Sequence, residues 1–312
     1  MKKQIILFTA IIFAFLFGNA QNVLQSPEYI KGLTAQWKGE RFADGRPKVS
    51  DDLLERLKNI TLEEAWAELI ELGYPNQYEG DWKHVHEGDN LVMTGRAVTA
   101  QFMPTRPDLD SQVRAQGKIE GHDYNRATTS WAIRTLVEGD IYIGDTYLKP
   151  NLGTLIGSNL GNGVYARTKR GVICYGNIRD MEDLRKIKGF NAWIKSSDPS
   201  YMRQTMLVSI NAPIRIGHAT VLPGDAVLAK TDGVLFIPAH LLEHIVLTGE
   251  VTELFDIFGQ QRINEKKYTA GEIDSKWVPE IKADFKAWVK KYKGKMPMSA
   301  AELERFLETR NF

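Results

Sequence analysis

The stretch GVICYGNIRDMEDL, residues 171–184, decides how the centre of this chain folds. Its residues from Val172 to Tyr175 favour strands and do not alternate with polar ones, which is typical of a strand covered on both faces in an α/β protein. The run meets a glycine, and then Arg179 and Asp180 stand side by side before a helix-like segment. Groups just beyond the carboxyl ends of such strands surround the crevice where open α/β sheets bind ligands. This pair is therefore the leading candidate for a functional site.

The two side chains of the pair have complementary uses. A carboxylate at the start of a helix is stabilised by the free N–H groups of the first turn, so Asp180 is expected to keep its charge and to hold a divalent metal. Arg179 carries a permanently charged, forked guanidinium that suits a substrate carboxylate. The structural alternative is an N-cap aspartate beside an arginine in a surface ion pair. The dipeptide alone leaves both interpretations open.

Composition sets broad limits on the function. The chain has 312 residues, of which 43% are hydrophobic and 25% charged, so it is long enough to bury a substantial core. A formal net charge of +1 gives no general electrostatic reason to expect nucleic acid as a partner. The single cysteine, Cys174, excludes an intramolecular disulfide and a cysteine-rich zinc site. Within its apolar run we expect it to be a small buried side chain.

The N-terminus has the pattern of a secretory signal peptide. Residues 1–20 hold two lysines, a nearly unbroken apolar run from residue 5 to residue 17, and then small residues. The run is short for a bilayer span, and no cysteine follows it to carry a lipid. We therefore expect an exported protein, periplasmic or secreted, that begins near Gln21 and has no permanent membrane anchor.

The rest of the chain divides into an arm, a domain and an extension. Residues 21–50 are polar and without sustained period, which is typical of a lead-in arm. Residues 51–250 alternate helix and strand patterns, as in an α/β domain. Residues 251–312 contain capping boxes and an apolar stripe at three- and four-residue spacing, which predicts a helical C-terminal extension that packs on the main domain.

Four local predictions concern the central domain. Thr61 and Glu64 form a capping box at the start of a helix. The segment NLVMTGRAVTAQFM, residues 90–103, reads as a strand with a possible bulge at Gly95. Residues 104–128 are polar and contain two prolines, which predicts a long surface excursion. Residues 239–248 are expected to form the helix that closes the domain.

Four segments in order resemble the RraA-like family, which includes divalent-metal-dependent 4-hydroxy-4-methyl-2-oxoglutarate aldolases. RLKNITLEEAWAELIELG resembles the opening helices of the family, and GRAVT its first strand motif. GSNLGNGVYARTKRGVICYGNIRD resembles its glycine loop, helix, strand and Gly-x-x-Arg-Asp core, and PGDAVLAKTDGVLFIP its Pro-Gly-Asp hairpin. Together they span residues 50–246, roughly two-thirds of the chain.

The resemblance implies a fold, an assembly and a site. It implies a compact β/β/α sandwich of the swivelling type that forms a homotrimer or a dimer of trimers, with sites between subunits. Asp180 would be the metal-binding carboxylate, Arg179 would bind the pyruvyl end of the substrate, and Asp183 would act on the metal indirectly as a nearby acid. The backbone of four residues would cradle the substrate carboxylate: Gly157, Ser158, Asn159 and Leu160.

The implied chemistry is retro-aldol or decarboxylative cleavage of a small 2-oxo or hydroxy acid with Mg²⁺ or Mn²⁺. Three positions depart from the pattern of the aldolases. Ser158 stands where they carry an acid, Tyr175 replaces an aspartate, and Lys230 with Thr231 replaces residues that are often acidic. Fewer carboxylates weaken a cation site. The departures therefore favour an alternative, a non-catalytic trimeric protein that binds a small acid or a protein.

Several other side chains suggest chemistry more weakly. His84 and His86 lie on one face of an extended segment and could form a metal pair, although a solvated strand edge is the simpler interpretation. His122 lies in the charged segment 104–128 and would add polar chemistry if that segment covers the crevice. Lys230 could form a Schiff base if it were desolvated, whereas a lysine in a hairpin strand ordinarily faces solvent.

Overall fold

The computed structural model describes residues 22–125, 127–292, 294 and 296–309, and its centre is a nine-stranded mixed sheet. The predicted signal peptide lies outside the described residues. The strands are β1 (Tyr78–Glu79), β2 (Lys83–His84), β3 (Val92–Pro104), β4 (Asp140–Asp145), β5 (Val172–Ile178), β6 (Ala192–Ser197), β7 (Thr205–Ile210), β8 (Ile214–Ile216), β9 (Ala219–Val221), β10 (Ala226–Lys230) and β11 (Gly233–Ile237).

The helices pack on one face of this sheet and form the C-terminal region, while the β8–β9 hairpin packs on the other face. They are α1 (Pro27–Leu33), α2 (Asp51–Leu57), α3 (Leu62–Glu71), α4 (Pro107–Ile119), α5 (Thr129–Thr135), α6 (Ser158–Thr168), α7 (Met181–Leu184), α8 (Leu242–Asn264), α9 (Ala270–Ile273), α10 (Pro279–Val289) and α11 (Ala300–Thr309), with a 3₁₀ turn at Ala239–Leu241. No helix among these described residues is long and apolar enough to cross a membrane.

The sheet has a parallel centre with antiparallel flanks. Its order is β1-β11-β10-β3-β4-β5-β6-β2, and β3 through β6 pair in parallel. β7 pairs with the second half of β3, after a shift in register between Gln101 and Phe102, while β8 and β9 form a separate hairpin. The parallel centre brings the carboxyl ends of β4 and β5 to one edge of the sheet. The predicted α/β class is confirmed.

β5 is buried on both faces, as its unbroken apolar pattern predicts. Val172 and Cys174 belong to the core beneath α5, α6 and α7, whereas Ile173 belongs to the opposite core with Trp193. All four side chains are fully buried. Burial raises the pKa of the Cys174 thiol well above its usual range, which agrees with the prediction of an inert, structural cysteine.

The predicted surface excursion is largely exposed but contains a helix that the sequence pattern did not predict, and the bulge predicted at Gly95 was wrong. The segment from residue 104 to residue 128 contains helix α4, whose few buried residues include Val113 and Gly117. Gly117 is needed because a Cβ there would collide with the ring of Trp131. The bulge lies at Gln101/Phe102 and not at Gly95, where a Cβ would come within 2.7 Å of the Gly139 carbonyl oxygen. The glycine in the strand therefore permits a close approach.

The lead-in arm is packed against the domain. Val23 and Ile30 are buried, and the guanidinium of Arg46 donates two hydrogen bonds of 3.0 Å to the fully buried carboxylate of Asp140 at the start of β4. The buried pair makes the end of the arm part of the core, where Asp44 also binds Arg46 at 2.6 Å and Arg96 lies 3.6 Å from Asp140.

The C-terminal region is helical, as predicted, and has its own aromatic core around Phe258, Phe285 and Trp288. The helix expected at 239–248 is part of α8, which continues without a break to Asn264 and contains the boundary predicted after residue 250. Arg56 of α2 binds Glu250 of α8 at 2.6 Å. One long helix therefore ties the extension to the main domain.

Candidate functional site

The Arg-Asp pair lies directly beyond the carboxyl end of β5, as the strand pattern predicts. Arg179 donates its backbone N–H to the carbonyl oxygen of Ile156 at 3.0 Å, which fixes the loop before α6 against the exit of the strand. Asp180 has a φ of 59°, in the left-handed region that is uncommon for residues other than glycine. This conformation turns the chain sharply, and α7 begins at the next residue.

The carboxylate of Asp180 contacts the N-terminus of α6, and not that of α7, the helix that directly follows it in the chain. Its Oδ2 accepts a hydrogen bond of 3.0 Å from the backbone N–H of Ser158, the first residue of α6. Asp180 makes no side-chain capping bond to α7. The prediction that the following helix stabilises this carboxylate was therefore wrong. The positive end of α6, an eleven-residue helix, performs that role.

The arginine and the aspartate also contact each other. A guanidinium nitrogen of Arg179, Nη1, lies 3.3 Å from Asp180 Oδ1. The side chain of Arg179 is 39% exposed and that of Asp180 is 30% exposed, so both polar ends remain reachable from solvent. The contact is long for a charge-assisted hydrogen bond. A ligand carboxylate can therefore compete for the guanidinium.

Gly157 is the residue that allows this close arrangement. A Cβ added at this position would collide with Asp180 Oδ2 and would lie 3.0 Å from Arg179 Nε. Its φ of −129° is accessible to any residue, so lack of space requires the glycine and backbone strain does not. The role of the Gly157 backbone in binding a substrate carboxylate stays a prediction.

The other three residues of the predicted cradle form the first turn of α6. Ser158 and Leu160 are half-buried and Asn159 is exposed. The first N–H groups of a helix have no intrahelical acceptor, so the amides of Asn159 and Leu160 remain free to meet an anion beside Asp180. The Ser158 amide is already used by Asp180. The predicted cradle therefore offers fewer donors than its four residues imply.

Asp183 lies one turn further along the chain and faces outward. Its carboxylate is 57% exposed and binds Lys186 Nζ at 2.6 Å. The hydrogen bond and the ion pair raise the pKa of Lys186. The role of Asp183 in ordering metal-bound water stays a prediction.

The donor set at this site fits a largely hydrated divalent ion held by one carboxylate. Among the described residues no group of three or more His, Cys, Asp or Glu side chains could hold a metal. Mg²⁺ commonly keeps several waters and needs only one or two protein carboxylates. The carboxylate of Asp180 accepts one hydrogen bond on Oδ2 and contacts Arg179 through Oδ1, so lone pairs remain free for a cation.

Two of the residues that depart from the aldolase pattern, Tyr175 and Lys230, have surroundings different from those of the Arg-Asp pair. Tyr175 faces the opposite core, where its ring lies 5.3 Å from Lys195 Nζ, and burial with the nearby Glu79 raises its pKa. Lys230, at the end of β10, is half-buried, and burial lowers its pKa. The expectation that Lys230 simply faces solvent was therefore too simple.

Asn177 is a positioning residue that the sequence analysis did not identify. Its amide donates to the carbonyl oxygens of Lys149 at 2.6 Å and Pro150 at 2.8 Å, and its side-chain oxygen accepts from Ser196. These bonds hold the loop that leads to Gly157. The available signal was a single polar residue inside the apolar strand β5.

The three histidines considered as additional ligands do not extend the site. The ring of His84 packs edge-on against Trp193 at 5.3 Å, and the Nε2 atoms of His84 and His86 are buried without a hydrogen-bond partner among the described residues. β2 is an edge strand, as the solvated-edge interpretation expects, but these two ring nitrogens are not solvated. The ring of His122 stacks on Trp131 at 4.8 Å, so it packs in the core beside α5.

Comparison with known proteins identifies the family and the fold. A family model described as "RraA-like: Aldolase/RraA" matches residues 47–236. A 4-hydroxy-4-methyl-2-oxoglutarate aldolase of Thermus thermophilus is 29% identical over 84 residues, which are 27% of this chain and 51% of that protein. A putative aldolase of the same name from a second strain of that organism is 30% identical over the same shares of each chain. The chain spans about half the length of these curated relatives.

Solved structures share the fold. Streptomyces coelicolor RraAS2, described as an unusual member of the RNase ES inhibitor RraA protein family, superposes with a TM-score of 0.58 and 24% identity over 70% of this chain and 98% of its own. An uncharacterised protein of Pseudomonas syringae superposes with a TM-score of 0.56 and 16% identity, over 73% of this chain and 100% of its own. The family model covers more than half of the chain and includes β5, Gly157 and the Arg-Asp pair. The chain therefore belongs to the RraA-like family.

Proposed function

We propose that this protein is a lyase that cleaves a small 2-oxo or hydroxy acid by a retro-aldol or decarboxylative reaction. The observation that carries the proposal is the junction of Arg179, Asp180 and Gly157, where a half-exposed guanidinium, a carboxylate and a helix N-terminus meet. The aldolase name borne by two relatives supports it, although the matching segment reaches only half their length.

Arg179 is the proposed anchor of the substrate carboxylate. Its guanidinium is permanently charged and presents a planar fork of donors, which matches the geometry of a carboxylate. The free amides of Asn159 and Leu160 lie in the helix turn beside it and add donors of the same polarity. Binding the carboxylate here would place the neighbouring 2-oxo group next to Asp180.

Asp180 is the proposed protein ligand of Mg²⁺ or Mn²⁺. The amide of Ser158 holds Oδ2 in place, so the carboxylate is oriented before a ligand arrives. A divalent cation bound there would polarise the 2-oxo group of the substrate. Ser158 is a poor proton acceptor near neutral pH, so the proton transfers of the reaction need water or a group outside this turn.

The alternative is a non-catalytic protein of the same fold that binds a small acid. It is favoured by Ser158 and by the absence, among the described residues, of a group of carboxylates that could hold a metal together with Asp180. In that case Arg179 and the helix N-terminus retain their role in binding, and no bond is broken. Because RraAS2 is described as belonging to a family of RNase inhibitors, binding without catalysis is a real option for this fold.

We further infer an exported protein, periplasmic or secreted, that works as a homotrimer or a dimer of trimers. Export is supported by the pattern of residues 1–20, and the trimer by the resemblance to the family alone. Small acids are the proposed partners, and nucleic acid is not.

The test is a pyruvate-release assay on a panel of 2-oxo acids, with Mg²⁺, with Mn²⁺ and with a chelator. We expect metal-dependent release that falls at least about 100-fold in Asp180→Asn and in Arg179→Gln. The matched control is Arg185→Gln, because Arg185 follows the end of α7 and its side chain donates to the carbonyl oxygen of Val85. Release that is absent throughout, or equal with and without chelator, favours the binding protein.

A further inference from the structure

A cavity of about 280 Å³ lies away from the Arg-Asp pair, between the lead-in arm and the end of β11. Trp37 of the arm forms one side, and Tyr74 and Gln77, from the segment after α3, form another. Asp225, which precedes β10, and His240 of the 3₁₀ turn also line the cavity. Three segments that are far apart in sequence, the arm, the segment after α3 and the region around β10 and β11, thus meet around this cavity.

Asp225 gives this cavity an acidic group without a cationic partner. The residue is 3% exposed, and its Oδ2 accepts one hydrogen bond of 2.8 Å from the backbone N–H of Leu222. Among the described residues no Lys, Arg or His nitrogen forms an ion pair with it. Burial raises the pKa of Asp225 to about 8. A buried charge of this kind is costly unless a cation joins it.

A role in the turn alone does not explain the carboxyl group. The bond to Leu222 closes a tight turn, and an asparagine oxygen would accept it equally well at a lower cost of burial. Asp225 is also one of the residues that line the cavity. A carboxyl group at this position is therefore suited to a ligand as well as to the turn.

Aromatic rings form the apolar walls around this acid. The indole N–H of Trp37 donates to the carbonyl oxygen of Glu40 at 2.7 Å, which holds the ring at the edge of the arm. The hydroxyl of Tyr74 lies 3.4 Å from Nε2 of His240. Aromatic faces beside an anion are the surroundings in which proteins bind organic ammonium ions.

The charge around the cavity permits a cation. Tyr74 and His240 are the other titratable groups of the lining, and burial lowers the pKa of His240, which favours its neutral form. Arg41, a charged side chain of the arm, donates to the carbonyl oxygens of Thr34 and Gly45 and does not line the cavity. The lining therefore presents one acid and, among the residues that the structure describes, no permanently cationic side chain.

We propose that this cavity binds a small organic ammonium ion, with Asp225 as its counter-ion and the rings of Trp37 and Tyr74 as its walls. At about 30 Å³ per water, 280 Å³ holds roughly nine waters, which sets the ligand at fewer than about ten heavy atoms. Trp37 lies outside the family-matched residues 47–236, so this wall is a feature of the chain beyond the shared domain. The site is independent of the proposed lyase activity.

The test is calorimetric titration of the full-length protein with choline and with its uncharged isostere 3,3-dimethylbutan-1-ol. We expect choline to bind at least about tenfold more tightly than the alcohol, because only choline neutralises the carboxylate. We also expect about tenfold tighter choline binding at pH 9 than at pH 7, because a group with a pKa of about 8 is mostly ionised only above that value.

Two variants and a control separate the site from general effects. Asp225→Asn should bind choline and the alcohol equally, whereas Asp232→Asn, a change in the exposed β10–β11 turn, should match the parent. If Asp225→Asn does not fold, Trp37→Leu provides the second test and should weaken choline binding at least about fivefold. No choline binding by the parent, equal binding of the two probes by it, or unchanged discrimination in Asp225→Asn would each overturn the proposal.

Discussion

Asp180 lies just beyond the end of β5 and Asp225 just before the start of β10, and their surroundings differ in almost every respect. Asp180 is 30% exposed, contacts Arg179 and accepts the amide of Ser158. Asp225 is 3% exposed, has the amide of Leu222 as its bonded donor, and makes no ion pair with any described side chain. One carboxylate has an adjacent cation and a helix N-terminus, and the other has neither.

The difference shows that partners and burial decide the chemistry of a carboxyl group. At Asp180 the helix N-terminus and the guanidinium stabilise negative charge while leaving lone pairs open, so the group suits a metal or an acid substrate. At Asp225 burial dominates and favours the neutral form at neutral pH.

The largest expected effect comes from filling the space beside Asp180. Gly157→Ala introduces a Cβ that collides with Asp180 Oδ2, so the carboxylate must leave the Ser158 amide. We expect activity or substrate binding to fall at least about 100-fold, measured by kinetics or by calorimetry. We also expect the free energy of unfolding to fall by about 1–3 kcal/mol, measured by urea unfolding. The matched control is Gly163→Ala in α6, where the nearest atom lies 3.9 Å away and stability should hold or rise.

An intermediate effect is expected from neutralising Asp225. Its folded-state pKa is raised to about 8, above an unfolded value near about 4, so the folded protein binds the extra proton. Its contribution to stability is full below about pH 4 and is lost as pH rises through about 8. Asp225→Asn should remove this loss, so its stability relative to the parent should rise by about 1–2 kcal/mol between about pH 7 and about pH 9, measured by urea unfolding. Parallel pH profiles for the two proteins would contradict the surroundings described for Asp225.

The smallest effect is expected at Asp183, whose ion pair with Lys186 is exposed. Surface ion pairs contribute little, so Asp183→Asn should change the free energy of unfolding by less than about 0.5 kcal/mol. A role in ordering metal-bound water would appear separately, as a few-fold rise in the Mg²⁺ concentration for half-maximal activity. An unchanged metal dependence would remove Asp183 from the site.

Local pattern was sufficient to predict β5 and the pair beyond it. The unbroken run from Val172 marks a strand covered on both faces, and the position of Arg179 and Asp180 follows from where that strand ends. Capping boxes such as Thr61 with Glu64 are equally local, and that one is present with both hydrogen bonds. Signals of this kind need only neighbours in sequence.

The partner of Asp180 could not be predicted in the same way, because the Ser158 amide comes from a different helix, 22 residues earlier. The cavity at Asp225 depends on the arm folding back over residues far along the chain. Helix α4 was missed because its mostly polar surface hides a short contact centred on Gly117, where absence of a side chain admits Trp131. Sequence periodicity reports buried apolar residues and is silent about such contacts.

The most direct test of the account is Mn²⁺ binding measured by electron paramagnetic resonance on the parent protein, Asp180→Asn and Asp225→Asn, each with pyruvate present. The account predicts one Mn²⁺ per subunit in the parent and in Asp225→Asn, with affinity reduced at least about tenfold in Asp180→Asn. Equal affinity in the parent and Asp180→Asn, or no bound Mn²⁺ in any of the three proteins, would contradict it.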